Sequence, residues 1–280
     1  MNKWVIFSDV DGTIYGFPDK KLSNVNKDKL QEIYEKGVNF VIATGNPPYE
    51  KIQRLADIAK SRYIITSGGA SVYDNFKKEY IHVEYIPLDE ARKLFEIADR
   101  INARLYYFGL DQYYLKNHNE EMHTFLSEFC EYYDWILDGR INDDINKIEV
   151  YGTPEEVRVA YEEFVKANLN LNIINLKTHL EITKTGVSKA SGIKWLCENV
   201  FNVSEQDVMA IGDSQNDIPM LEYVGYSYAM DNAGTETKKA AKFYTSDVRQ
   251  DGLAEAIDDF LYRTDFELKK AISQGKMKKS

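Results

Sequence analysis

Two acidic clusters carry the side chains best suited to chemistry. The first is Asp9-Val10-Asp11-Gly12-Thr13, and the second is Gly212-Asp213-Ser214-Gln215-Asn216-Asp217. Two carboxylates two residues apart, followed by glycine, can leave an extended chain toward one point. A carboxylate and a carbonyl oxygen there suit a hard cation such as Mg2+. The second cluster offers Asp213, Asn216 and Asp217 as three acceptors within five positions. Each cluster also reads as an ordinary turn, because Asp-Gly is common in turns and Asp213 or Ser214 suits a helix N-cap. Thr44-Gly45 adds a hydroxyl and an N–H able to hold phosphate oxygens. Lys189, near the start of a helical segment, puts a cation where helix termini attract anions. Alone it reads as a solvated surface charge.

The apolar pattern tells which elements position these residues. Residues 4–8 form an apolar run without alternation, as expected for a strand buried on both faces of a parallel sheet. Leu30, Ile33 and Tyr34 follow helical spacing, and Gly37 stands where a C-terminal cap belongs. A second strand is predicted at 38–43, a helix from Pro47-Pro48 to about 60, and a third strand at 63–66. Alternating strands and helices predict right-handed crossovers in a parallel sheet. The same alternation returns late in the chain. Helices are expected at 188–199, 218–223, 236–241 and from 253 on, and strands at 207–211, 227–230 and 242–244. Both acidic clusters therefore follow strands, at the sheet edge where open α/β sheets bind ligands.

The middle of the chain reads as α+β. Helices are predicted at 88–101, 118–129 and 154–166, and strands at 105–108, 112–114, 148–151, 171–174 and 179–182. The fold class is thus α/β, a Rossmann-like doubly wound parallel-sheet core with an inserted α+β cap. The expected division is 1–84 and 186–280 for the core and 85–185 for the insert. The aromatics Tyr106, Tyr107, Phe108, Tyr113 and Tyr114 are expected to pack the insert's own core and hairpin. His179 and Glu181 either reach the leaving group of a substrate or simply occupy alternating sheet positions.

Composition excludes several classes. The chain has 280 residues, enough for one large or two modest domains, and a net charge of -10. An acidic surface repels nucleic acid and anionic membranes, so neither is an expected partner. A small anionic substrate needs a pocket that supplies its own positive charge. Cys130 and Cys197 are the only cysteines. They share no metal-ligand spacing and are expected to be buried free thiols in a reducing compartment. Asp9 and Asp11 interrupt the first apolar run before a secretory h-region forms. No apolar stretch approaches the ~20 residues that span a bilayer. A cytoplasmic location is expected. The pattern carries no indication of oligomeric state. Lys276, Lys278 and Lys279 read as a solvated end.

Taken together, the ordered set DxDGT, TG, K and GDxxND resembles the haloacid-dehalogenase-like phosphatase superfamily, and within it the Cof-type branch. The resemblance covers nearly the whole chain, and the insert between Thr44 and Lys189 matches that branch's cap in position and size. Ala229-Met230-Asp231-Asn232-Ala233 also resembles the branch's AMxNA run. The resemblance implies an Mg2+-dependent phosphatase acting on small phosphorylated metabolites such as sugar phosphates or nucleotide-type cofactors. It implies that Asp9 attacks phosphorus, and that Asp11 protonates the leaving oxygen and then activates water. It also implies that Asp9, the Asp11 carbonyl and Asp213 hold the metal, with Asp217 supporting the metal site. Val10, Thr44, Gly45, Lys189 and Asn216 correspond to the phosphate binders.

Two positions depart from the branch's pattern. Asn46 stands where arginine commonly follows Thr-Gly, and Gly68 stands where Asn-Gly-Ala is common. Both belong to the leaving-group side. A phosphotransferase or mutase of the same superfamily is the nearest alternative and differs in whether an acceptor competes with water. A non-catalytic regulatory module is a further one, although such proteins usually lose a catalytic carboxylate. A dehydrogenase is discounted, because no G-x-G-x-x-G follows the first strand.

Overall fold

A computed structural model describes residues 4–274; the lysines of the tail lie outside them. In chain order the first elements are β1 (Val5–Ser8), α1 (Asn24–Glu35), β2 (Asn39–Ala43), α2 (Glu50–Ile58), β3 (Tyr63–Thr66), β4 (Ser71–Asp74) and β5 (Glu79–Val83). Next come α3 (Leu88–Ile101), β6 (Arg104–Phe108), β7 (Tyr113–Lys116), α4 (Glu120–Cys130), β8 (Lys147–Tyr151), α5 (Pro154–Lys166), β9 (Leu171–Asn175) and β10 (His179–Lys184). The last are α6 (Lys189–Leu196), β11 (Met209–Gly212), α7 (Ile218–Tyr223), β12 (Tyr226–Ala229), α8 (Thr235–Ala240), β13 (Phe243–Tyr244) and α9 (Gly252–Ser273). The chain is α/β. It falls into two compact units, one formed by the chain through Phe40 together with the chain from Val203 on, the other by Val41–Asn202.

The first unit contains parallel strands in the order β13-β12-β11-β1. Ile6, Phe7 and Ser8 pair with Met209, Ala210 and Ile211, and all four residues of β1 are buried. Burial on both faces explains the unbroken apolar run. Helix α1 opens on Ser23, whose hydroxyl accepts the Asn26 N–H, and it packs against α9. The Asn26 carboxamide oxygen accepts the Ala254 N–H at 3.0 Å, fixing one helix start against the other.

In the second unit β2 pairs parallel with β3, and β4 and β5 add two antiparallel strands. The β4–β5 hairpin is absent from the expected elements. It turns at Asp74, whose carboxylate accepts the Phe76 and Lys77 N–H groups and an Arg62 guanidinium N–H at 2.9 Å. The unit also holds a five-stranded antiparallel sheet in the order β7-β6-β8-β10-β9.

Alternation along these strands gives that second sheet two chemically distinct faces. Leu105, Tyr107, Ile148, Val150, Leu180 and Ile182 enter one apolar cluster with Leu94 of α3 and Phe164 of α5. Tyr106, Lys147, Glu149, His179 and Glu181 occupy the alternate positions. The aromatic expectation holds for four of the five residues. Tyr107 and Tyr114 pack in the core, stacked with ring centroids 5.0 Å apart. Phe108 and Tyr113 pack edge-on against each other across the β6–β7 hairpin, centroids 5.7 Å apart, and against Tyr49. Tyr106 instead donates its hydroxyl hydrogen to Glu149. Helix α6 is shorter than expected, because residues 197–201 continue it as a wider π-type turn. Cys130 and Cys197 are buried and are not joined in a disulfide. Among the described residues no helix is long and apolar enough to cross a membrane.

Candidate active site

The acidic centre lies in the first unit. The Asp9 N–H donates to the Ile211 carbonyl at 3.0 Å, continuing the β1–β11 ladder by one residue. That places Asp9 at the carboxyl end of β1 and Asp213 just past the end of β11, on neighbouring parallel strands. The chain then turns back, with the Val10 carbonyl accepting the Ile14 N–H at 2.9 Å and the Gly12 N–H donating to Tyr15 at 2.8 Å. Asp11 bridges to Tyr15 in this turn. Gly12 has φ +92°, and a Cβ there would lie 2.3 Å from Asp213 Oδ2. Both the left-handed backbone and the proximity of Asp213 require glycine.

Asp217 organises the second cluster. Its Oδ2 accepts the N–H groups of Asp213 and Ser214, each at 2.9 Å, and it is fully buried. The Ser214 hydroxyl donates to Asn216 Oδ1 at 2.6 Å. Asp9, Asp213 and Asp217 bring carboxylate oxygens within 4.8 Å of one another. Like charges so close repel, the more so with Asp9 and Asp217 buried, and a divalent cation with oxygen ligands offsets that repulsion. The donor set fits a hard ion of the Mg2+ type.

One residue of this centre escaped functional assignment from sequence. Asn232 follows β12, donates to the Gly12 carbonyl at 2.8 Å and lies 3.1 Å from Asp213 Oδ2. Its own carbonyl accepts the Val248 N–H at 3.0 Å. The Ala229–Ala233 run was the available signal, but only the fold shows what its asparagine holds.

The expected phosphate binders Thr44, Gly45 and Lys189 lie in the second unit. Thr44 ends β2 and is buried; its N–H donates to the Ile65 carbonyl at 2.8 Å and its carbonyl accepts the Gly68 N–H at 3.0 Å. The Thr44 hydroxyl accepts the Asn46 backbone N–H at 3.1 Å and the Asn46 side-chain amide at 3.2 Å. Lys189 is the first residue of α6, after the N-cap Ser188, and is 1% exposed.

A second charged group adjoins the Thr44-Gly45 turn. Lys147 is fully buried, and its ammonium donates to the Gly45 carbonyl at 2.8 Å. It also pairs with Glu149 at 2.7 Å and Glu181 at 2.6 Å. Burial alone would push the lysine pKa down, but the two carboxylates outweigh it and hold it above the ordinary value of 10.5. Burial, reinforced by Glu149, pushes the Tyr106 hydroxyl well above its usual range. Glu149, His179 and Glu181 also bring potential metal-ligand atoms within 4.8 Å of one another. The Lys147 ammonium already offsets the charge of two of them. His179 and Glu181 thus take alternating positions on the same face. The signal for Lys147 was a charged residue alternating with Ile148 and Val150 in a strand.

The family described as haloacid dehalogenase-like hydrolase has a model that matches residues 6–257. A putative phosphatase, YkrA of Bacillus subtilis (strain 168), is 29% identical over 265 residues, covering 92% of this chain and 98% of its own. The 5-amino-6-(5-phospho-D-ribitylamino)uracil phosphatase YcsE of the same organism is 26% identical, covering 90% of this chain and 94% of its own. The crystal structure of a haloacid dehalogenase-like hydrolase from Bacteroides thetaiotaomicron superposes with a TM-score of 0.80 at 25% identity, covering 92% of this chain and 99% of its own.

Proposed function

The chain belongs to the haloacid dehalogenase-like hydrolase family, as an enzyme of the phosphatase kind, and we propose that it hydrolyses small phosphomonoesters through an aspartyl-phosphate on Asp9. The observation that carries this reading is the approach of the Asp9, Asp213 and Asp217 carboxylates at the ends of β1 and β11.

In this reading Asp9 and Asp213, with the Asp11 carbonyl, hold Mg2+, and Asp217 keeps the Asp213 backbone in place. The bound ion supplies positive charge that offsets the phosphate's own. A carboxylate oxygen of Asp9 forms a bond to phosphorus while the bond to the leaving oxygen breaks. Asp11 gives that oxygen its proton, so an alcohol departs. Water then attacks the phosphorus of the acyl phosphate, and Asp11 takes the water's proton. Orthophosphate leaves and Asp9 is restored. Splitting the reaction into two displacements lowers a barrier that is very high for uncatalysed phosphate monoesters. Thr44, Gly45, Val10, Asn216 and Lys189 bind the phosphate oxygens, and the segment 85–185 acts as the cap that chooses the leaving group.

The test is turnover of para-nitrophenyl phosphate and a panel of phosphorylated metabolites with Mg2+, in the natural chain and in Asp9→Asn. The panel includes 5-amino-6-(5-phospho-D-ribitylamino)uracil, the compound in the name of the YcsE relative. Orthophosphate release without any acceptor, falling on the order of a thousandfold or more in Asp9→Asn, is the expected result. Equal and negligible turnover of both proteins across the panel overturns the reading.

A further inference from the structure

The segment 85–185 reaches the Thr44-Gly45 turn through Lys147 of β8. Strand β8 delivers Lys147 to the Gly45 carbonyl at 2.8 Å. An ammonium has three N–H donors, and Lys147 has three acceptors around it, namely Gly45 O, Glu149 Oε1 and Glu181 Oε1. The group is saturated, so it is not itself a receptor for a substrate anion. Its carboxylate partners come from paired positions, since Glu149 and Glu181 face each other across β8 and β10. They hold the ammonium at a fixed height above the turn.

The turn is shaped to receive it. A Cβ on Gly45 would lie 2.6 Å from Glu181 Oε1 and 3.1 Å from Lys147 Nζ, so a side chain there would drive the two apart. Gly68, whose N–H donates to the Thr44 carbonyl, faces the same lysine: a Cβ there would be 3.9 Å from Lys147 Cε. Fixing the Gly45 carbonyl fixes the plane of the peptide that follows it, and with it the turn that carries the Thr44 hydroxyl and the Gly45 N–H.

We propose that Lys147 is a positioning residue for phosphate: its ammonium, anchored by Glu149 and Glu181, holds the Thr44-Gly45 turn in its phosphate-binding conformation. This rests on the reading of Thr44 and Gly45 as phosphate binders given above. It assigns to the insert a role in holding the phosphate itself, in addition to choosing the leaving group.

The experiment measures the inhibition constant of orthophosphate against para-nitrophenyl phosphate hydrolysis, together with KM and kcat. The proteins are the natural chain, Lys147→Met, the double variant Glu149→Gln/Glu181→Gln, and the triple variant that combines all three changes. Lys147→Met strands two buried carboxylates and is the variant most at risk of misfolding. The triple variant leaves no unpaired charge. The double variant keeps the lysine donor to Gly45 but removes both of its anchors and leaves the ammonium buried without a counter-charge, so orthophosphate binding is expected to weaken in it as well. Orthophosphate binding and KM weakened about tenfold or more in the triple variant relative to the natural chain, with circular dichroism unchanged, is the expected result. An orthophosphate constant in the folded triple variant equal to that of the natural chain overturns the proposal. Failure of the phosphatase reading is a separate outcome, seen as absent turnover in the natural chain.

Discussion

The side-chain amide of Asn232 lies 3.1 Å from Asp213 Oδ2 while also donating to the Gly12 carbonyl at 2.8 Å. One asparagine therefore holds the loop after β1 and the carboxylate after β11. Groups that orient metal ligands typically change metal affinity 10- to 100-fold when removed. Asn232→Ala is expected to raise the Mg2+ concentration for half-maximal activity by at least about tenfold. It is expected to cost only about 0.5–1.5 kcal/mol of stability for the hydrogen bonds lost. Mg2+ titration of turnover, read beside a thermal melt, separates the two effects.

Gly12→Ala tests the same region from the backbone side. The new methyl carbon would meet Asp213 Oδ2 at 2.3 Å, and φ +92° is a conformation that alanine adopts poorly. Left-handed backbone costs roughly 1–2 kcal/mol for a residue with a Cβ, and relief of the overlap displaces Asp213. Loss of stability should come with loss of Mg2+-dependent turnover. An alanine variant with the natural protein's melting temperature and activity would show that the loop is free to move aside.

Much of this centre was legible in the sequence because it depends on strand ends. An unbroken apolar run followed by Asp9, and another followed by Asp213, places both acids where parallel strands stop. The β4–β5 hairpin was not legible for the opposite reason. Ser71-Val72-Tyr73-Asp74 and Glu79-Tyr80-Ile81-His82-Val83 mix polar and apolar residues, and β5 is largely half-buried, so no continuous run announces a strand. The role of Lys147 was hidden as well. It depends on the register that sets Glu149 opposite Glu181 and on a glycine more than 100 residues earlier in the chain.

Asp217 provides a prediction about stability. Its Oδ2 is the acceptor for two N–H groups, those of Asp213 and Ser214. Asp217→Ala leaves both without that acceptor, and a buried polar group left unsatisfied costs about 1–3 kcal/mol. Asp217→Asn keeps one oxygen in place and should lose less. Urea midpoints should therefore fall in the order natural chain, Asn, Ala. An Ala variant as stable as the Asn variant would mean that water or another group takes over both bonds.

Lys147 sets a pH dependence whose sign follows from its environment. Burial pushes its pKa down, and Glu149 and Glu181 more than reverse that, so the folded value lies above 10.5. A group whose pKa is raised on folding stabilises the protein fully below its unfolded value, and that stabilisation is lost as pH rises through the folded value. The groups facing it are Glu149, Glu181 and the Gly45 carbonyl. Tyr106, beside Glu149, is itself held protonated well above its usual range. Between about pH 7 and 10 the lysine stays charged in both states, so its contribution is constant. Relative to the triple variant Lys147→Met/Glu149→Gln/Glu181→Gln, the melting temperature of the natural chain should therefore hold a fixed offset across that range. The offset should shift against the natural chain only above the ordinary lysine value. Melts at half-unit intervals from pH 7 to 11 measure it, and a drift in the offset between pH 7 and 9 would show that Lys147 is not held charged by its two carboxylates.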